Sequence, residues 1–284
     1  MKSCYFPIAS FFLSISLLAN SQQIEKGGIS SEMLQQIKQS YQGTSTDKAI
    51  RNAICNNDIN KLAINIDNKN NFDTYFSHKV NSKGITDQKS SGRCWLFTGL
   101  NVFRAQAIAK YDMGDFQFSQ VYPFFWDQLE KANLFLQGII DTRKKPINDK
   151  MVEWLFKNPL SDGGQFTGIS DILSKYGVVP AEVMTETYSS ENTSRMAYLI
   201  KLKLREFGIQ LRNEAAQGNS VTSLEKSKTQ MLGTIYRMLV LNLGEPPASF
   251  TWTRKDAKGN PVETKKYTPM SFFNEFIGKD LTNN

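Results

Sequence analysis

Histidine is nearly absent from this chain: His78 is the single example among 284 residues. That scarcity excludes a multi-histidine metal centre, and any chemistry that needs an imidazole has one candidate. The three cysteines, Cys4, Cys55 and Cys94, are too few for a four-thiolate zinc site or a disulfide-stapled scaffold. No metal ligand set and no cofactor motif emerge, so none is expected. Long hydrophobic runs are lacking too. The most apolar stretch, residues 6–18, is shorter than the ~20 residues of a membrane-spanning helix. Nor does one sign of charge dominate: 34 Lys+Arg face 27 Asp+Glu, a net of +7 without long like-charge runs.

What is present is material for a core. Hydrophobic residues make up 40% of the chain and aromatics 12%, including 19 Phe and 10 Tyr. This excludes a mostly disordered or collagen-like protein. At ~150 residues per domain the length admits about two domains.

The first residues read as a secretory signal. Lys2 supplies a positive start, residues 6–18 an uncharged apolar region, and Ala19-Asn20-Ser21 small residues for cleavage before Gln22. A membrane anchor is the competing reading, against which the short run argues. The expectation is an exported protein, periplasmic or secreted, with Cys4 removed and no membrane segment left after cleavage. The basic balance admits either a nucleic-acid partner or a solvated surface. Lys201, Lys203, Arg205 and Arg212 fall along one expected helix with an apolar opposite face, which favours the surface reading.

Apolar spacing and capping residues predict helices over 31–41 and 47–55, with Ser30 and Thr46 as N-caps. The Asn- and Asp-rich stretch 56–71 reads as loop with brief extended pieces. Leu96, Leu100, Phe103 and Ala107 recur at helical spacing from Cys94 to about Lys110. Further helices are expected over 120–140, with Pro123 in the first turn, and over 165–176, stopped by Gly177 and Pro180. Met196, Ile200, Leu204, Phe207 and Leu211 mark a long amphipathic helix; Met231, Ile235 and Met238 mark the next. A hairpin is expected between 249–254 and 262–266 through Lys258-Gly259-Asn260-Pro261. The expected organisation is signal (1–21), an extension with short helices (22–70), a helical part (71–245) and the start of a β-containing part (246–284).

The chemistry-bearing stretch is 86–97. A small polar turn delivers Cys94 to the first turn of a strongly periodic helix. Unpaired N–H groups and the macrodipole favour negative charge there, and the thiolate is the nucleophilic form. Gln88 stands six residues earlier, where its amide could fold back beside the sulfur. With the Cys94 N–H it would donate to the oxyanion formed when a thiolate attacks a carbonyl. Arg93 adds positive charge nearby, and Trp95 would limit water access. Periodicity alone leaves a buried structural cysteine with an unrelated glutamine as the other reading.

Gln88, Ser91, Gly92, Arg93, Cys94 and Trp95 together resemble the catalytic segment of papain-like cysteine peptidases. The fuller string from Gln88 to Phe97, continued by Leu100-Asn101-Val102, resembles the bleomycin hydrolase/aminopeptidase C branch. Most papain relatives carry a second, disulfide-bonded Cys just before the nucleophile; Ser91 and Arg93 occupy that stretch here. Phe124-Phe125-Trp126-Asp127, Ser161-Asp162-Gly163-Gly164-Gln165 and Tyr176-Gly177-Val178-Val179-Pro180 extend the likeness over roughly residues 70–280. The resemblance implies an α+β, papain-like fold and a thiol aminopeptidase acting on peptides. In it Cys94 is the nucleophile, Gln88 the oxyanion donor, and Asp162, Gly163, Gly164 and Trp95 the wall of the substrate cleft. It further implies a homo-oligomer, hexameric in the branch. Some family members bind DNA, which leaves nucleic acid as a lesser alternative.

Papain-like enzymes also need a His and an Asn after the nucleophile, about 130–150 residues on in the simple members. From Trp95 to Asn284 there is no His. His78 precedes Cys94 in an extended-looking segment, and the family order argues against it as the base. The chain therefore reads as the N-terminal portion of a longer enzyme, inactive by itself. A non-catalytic papain-like peptide-binding or assembly protein is the alternative.

Overall fold

The computed structural model describes residues 27–69, 73–80, 83–161, 163–278 and Leu281. The expected signal at 1–21 and the cleft residue Asp162 lie outside the described residues. Two compact units divide near Ser77 and His78.

The first unit holds short polar-capped helices: α1 (Ser31–Ser40), α2 (Ser45–Asn56) and α3 (Ile59–Leu62), then a 3-10 turn, Ile66–Asn68. Ser30 caps α1 as expected, its side chain accepting from the Met33 N–H. The start of α2 is set by Thr44 rather than Thr46. Thr44 forms a reciprocal capping box with Asp47, which satisfies two otherwise orphaned groups. The stretch read as loop contains α3 and the 3-10 turn because Asp58 and Asn65 cap them. None of these helices buries a residue.

The second unit is built on helices α4 (Cys94–Tyr111), α5 (Val121–Asp141), α6 (Lys150–Lys157), α7 (Phe166–Tyr176), α8 (Tyr188–Glu191), α9 (Thr193–Ala216) and α10 (Val221–Leu243). A hairpin of β1 (Phe250–Lys255) and β2 (Pro261–Tyr267) follows, then α11 (Pro269–Phe276). The strands pair antiparallel, with Phe250 opposite Tyr267 and an irregularity after Arg254. The result is α+β in class, mainly helical. Helix α5 is the axis, packed by α6, α7, α9 and α10. Its Val121, Phe124, Phe125, Leu136, Ile139 and Ile140 are essentially fully buried. Helix α4 packs on α7 and buries Leu96, Leu100, Phe103 and Ala107, the residues whose spacing predicted it.

Three elements carry weaker sequence signals and are not among the expectations. Helix α6 is capped by Asp149, whose carboxylate accepts from the Met151 and Val152 N–H groups. Helix α8 is a single turn boxed by Thr187 and Ser190. Helix α11 starts at Pro269 after a Thr268–Ser271 box, and its Phe272 and Phe276 join Phe116, Trp252 and Tyr267 in an aromatic cluster. Perpendicular contact between Trp252 and Phe272 suits the ring quadrupoles.

The basic stripe on α9 is largely engaged within the fold. Arg205 donates to Phe156 O and Lys157 O at the end of α6, and Arg212 to Thr142 O and Lys145 O past the end of α5. Lys203 pairs with Glu206. Two of the four cations thus satisfy helix C-terminal carbonyls, a structural use of positive charge. Among the described residues no helix is long and apolar enough to cross a membrane.

Gly177 ends α7 with φ +76 and brings its backbone against α11. A Cβ there would lie 2.4 Å from the Pro269 carbonyl carbon and oxygen, where Val178 N–H donates to Pro269 O at 3.2 Å. Gly177→Ala is therefore expected to cost about 2–4 kcal/mol, from positive φ and backbone overlap together. Urea unfolding reads this directly; a midpoint equal to wild type would show that the contact is soft.

Candidate active site

The segment preceding α4 is fastened to that helix along its length. Arg104 of α4, only 2% exposed, donates to Lys83 O at 2.5 Å and to Phe116 O at 2.6 Å. Burial lowers the pKa of its guanidinium, which the two carbonyls help retain. Asn101 donates to Thr86 Oγ1 at 2.6 Å. Asp87 then accepts from the Lys89 backbone at 2.8 Å and pairs with its ammonium. These bonds, the backbone one foremost, hold its carboxyl below the usual aspartate value.

The turn that follows closes on itself twice. Ser91 Oγ donates to Gln88 O, and Gln88 Nε2 donates to Ser91 O, each at 2.6 Å. Lys89 takes the left-handed conformation inside it, φ +53. An amide carries two N–H bonds, so Gln88 uses one for the turn and retains a second.

Arg93 departs from its expected place. Its side chain is 0% exposed and turns into the protein instead of toward the thiol. Nη1 and Nη2 meet Glu186 at 3.0 and 2.8 Å, and Nε donates to Ser91 Oγ at 3.1 Å. The guanidinium lies 5.1 and 5.6 Å from the ring centroids of Phe97 and Phe124. Its positive charge thus meets a carboxylate through one hydrogen bond from Nη1 and a close ionic contact at Nη2, and lies beside two aromatic rings. Sequence order hid Glu186, which is far along the chain.

Helix α4 begins at Cys94 and Arg93 supplies no side-chain cap, so the positive end of the helix macrodipole stands at the thiol. Cys94 is exposed. It shares with Gln88, Asp87, Thr98 and Asn101 the lining of an open cavity of ≈ 510 Å³. A slightly larger cavity, ≈ 560 Å³, lies at Lys83, Arg104, Asp115 and Gln117 but offers no nucleophile. His78 is exposed and lines neither.

Trp95 is 7% exposed and lies against Gly164. A Cβ on Gly164 would lie 2.7 Å from two indole carbons, so only glycine permits this approach. Gly163 beside it is exposed, with nothing within 4 Å of where a Cβ would sit. Cys94 and Trp95 adjoin in α4, so the thiol and the glycine loop are linked through one residue. Among the described residues no group of three or more His, Cys, Asp and Glu could hold a metal ion.

The sequence profile of the Peptidase C1-like family matches residues 28–284, and the chain belongs to that family. It is 38% identical over 232 residues to aminopeptidase C of Lactobacillus delbrueckii subsp. lactis, covering 82% of this chain and 52% of that protein. It is 40% identical over 206 residues to human bleomycin hydrolase, covering 71% and 45%. The crystal structure of PepW from Lactobacillus rhamnosis superposes with TM-score 0.83 at 37% identity, over 90% of this chain and 58% of that one. The chain thus spans about half the length of the curated relatives it matches.

Glu186→Ala would leave Arg93 charged and buried, an expected loss of about 2–4 kcal/mol; the figure is held down because Glu186 is 34% exposed. Adding Arg93→Met should recover part of that loss, since the unpaired charge is gone. Urea unfolding of the single and double variants measures the coupling; strictly additive losses would contradict it.

Proposed function

We propose that this chain carries the nucleophile-bearing part of a cysteine aminopeptidase of the bleomycin hydrolase and aminopeptidase C kind. The observation that carries the reading is an exposed thiol at the uncapped start of an 18-residue helix, opening on a cavity shared with Gln88. The Cys94 thiolate attacks the carbonyl carbon of a peptide bond, forming an S–C bond and an oxyanion. The free Gln88 N–H and the Cys94 backbone N–H donate to that oxyanion. Collapse breaks the C–N bond, the leaving amine takes a proton from an imidazolium, and water later cleaves the thioester. His78 is not assigned the role of base, so the imidazole is a requirement the reading places on the whole enzyme. Gly163 and Gly164, bare of side chains, form the edge along which substrate backbone lies. Trp95 supports that edge at Gly164.

Restriction to N-terminal residues, assembly into a homo-oligomer and export through residues 1–21 belong to the same proposal. They rest on the names of the relatives, on the family resemblance and on the signal-like sequence respectively. A non-catalytic peptide-binding or assembly protein is the second reading; it is favoured by the exposed His78, which does not line the Cys94 cavity. The internal use of Arg205 and Arg212 argues against a nucleic-acid partner.

Cys55 and Cys94 are both exposed, so unequal alkylation reports reactivity and not access. Limiting iodoacetamide is expected to label Cys94 ahead of Cys55 by mass spectrometry; preference for Cys55 would count against the nucleophile. In the whole enzyme Cys94→Ala should abolish hydrolysis of an aminoacyl fluorogenic substrate. Gln88→Ala should lower kcat by about 10²–10³-fold with little change in KM. Full activity in Cys94→Ala would refute the mechanism.

A further inference from the structure

We propose that Lys131 is a positioning residue that fixes the Gly163–Gly164 edge against Trp95 and thereby governs how tightly an extended peptide docks beside Cys94. The inference rests on the cysteine peptidase reading and adds to it a residue on α5, outside every motif singled out in the sequence.

Helix α5 reaches the loop with three polar side chains, Asp127, Gln128 and Lys131. Gln128 is fully buried and donates to Ser161 O and to Asp127 Oδ2, both at 3.0 Å. Lys131 Nζ sits 2.8 Å from Asp127 Oδ2 and donates to Gly163 O at 2.7 Å. The same ammonium lies 5.3 Å from the centroid of the Trp95 ring. Three N–H bonds therefore serve an anion, a loop carbonyl and an aromatic face.

An ordinary i,i+4 Asp–Lys pair on a helix surface contributes only about 0.2–0.5 kcal/mol and fixes nothing else. This one is different in setting. Asp127 is 8% exposed and Lys131 21%, so solvent competes weakly for either charge. Its geometry is also directed: the lysine pulls Gly163 O toward α5 while Gly164 rests on the indole that Lys131 covers. The loop is held from the helix side by two carbonyls and from below by Trp95. The opposite side of Gly163 is open, with nothing within 4 Å of where a Cβ would stand. An edge fixed on one side and free on the other is suited to pairing with the main chain of an extended peptide. Fixing it in advance removes ordering cost from the binding step.

The test uses the whole enzyme and compares two reagents for Cys94: a peptidyl epoxide, which needs the edge, and iodoacetamide, which does not. In wild type the peptidyl epoxide should label Cys94 with saturation, giving separate KI and kinact. Lys131→Met keeps the stem over Trp95 and removes the charge and the bond. Its KI is expected to rise about tenfold, the equivalent of one lost charge-assisted hydrogen bond, with kinact and the iodoacetamide rate unchanged. Lys131→Arg, able to keep both the pair and the bond, should restore KI to within about threefold of wild type. An unchanged KI in Lys131→Met would overturn the proposal, as would a parallel fall in both labelling rates or an Arg variant as weak as the Met variant. If Lys131→Met does not fold, Lys131→Gln with Lys131→Arg carries the same comparison. Wild type without saturable labelling would instead defeat the peptide-cleft reading itself, and this inference with it.

Discussion

The ion pair between the buried Arg93 and the partly exposed Glu186 is the constraint on which the site depends. A guanidinium with no solvent exposure must find its counter-charge and donors inside the protein, or the fold loses several kcal/mol. Here that need ties three pieces of chain together. Glu186 comes from the segment before α8 and also accepts from Ser190 Oγ at 2.5 Å; Ser91 comes from the turn before α4; Arg93 itself is the residue before the nucleophile. Because Arg93 is drawn inward, Cys94 faces outward. Because Ser91 is engaged by Arg93 Nε, its hydroxyl is oriented to close the turn on Gln88. One internal charge thus sets where the thiol points and where the amide sits.

A second set of polar contacts performs the same task at the glycine loop. Gln128 and Lys131 of α5, both donating to Asp127, hold the carbonyls of Ser161 and Gly163, and Trp95 supplies the floor on which Gly164 rests. Both sets act on loops that have no ladder of their own, and both are anchored in the helical core centred on α5. Precision at an exposed site is obtained by burying the groups that support it, at a cost in desolvation that the surrounding hydrogen bonds offset. The arrangement replaces covalent stapling. Ser91 and Arg93 stand in the stretch where most papain relatives have a disulfide-bonded cysteine, and a charge-assisted network occupies it.

Much of this was legible in the sequence, and the reason is physical. Helices α4, α5, α9 and α10 bury a continuous stripe, so Leu96, Leu100, Phe103 and Ala107, or Met196, Ile200 and Leu204, betray them by spacing alone. The hairpin was marked by its Gly259-Asn260-Pro261 turn. Short elements were not legible because they are specified by caps more than by stripes: α3, α8 and α11 each start from Asp or Thr, and Thr44 outcompeted Thr46 by boxing with Asp47. At the candidate site, Cys94 and Gln88 stood out because they share one short turn in sequence, whereas Gly163 and Gly164 were singled out through the family resemblance. Glu186 and Lys131 did not, since their partners lie 93 and 32 residues away and no local pattern announces such a pair. Arg93 was read correctly as charged and near, yet its direction required the partner to be known.

The central claim is that Cys94, Gln88 and the Gly163–Gly164 edge act on one carbonyl. A crystal structure of the chain treated with a peptide aldehyde tests it most directly. The account predicts a bond from Cys94 Sγ to the aldehyde carbon, the resulting oxygen within hydrogen-bond distance of Gln88 Nε2 and the Cys94 N–H, and the peptide lying along Gly163 and Gly164. An adduct whose oxygen points away from Gln88, or a peptide that leaves the glycine edge bare, would contradict it.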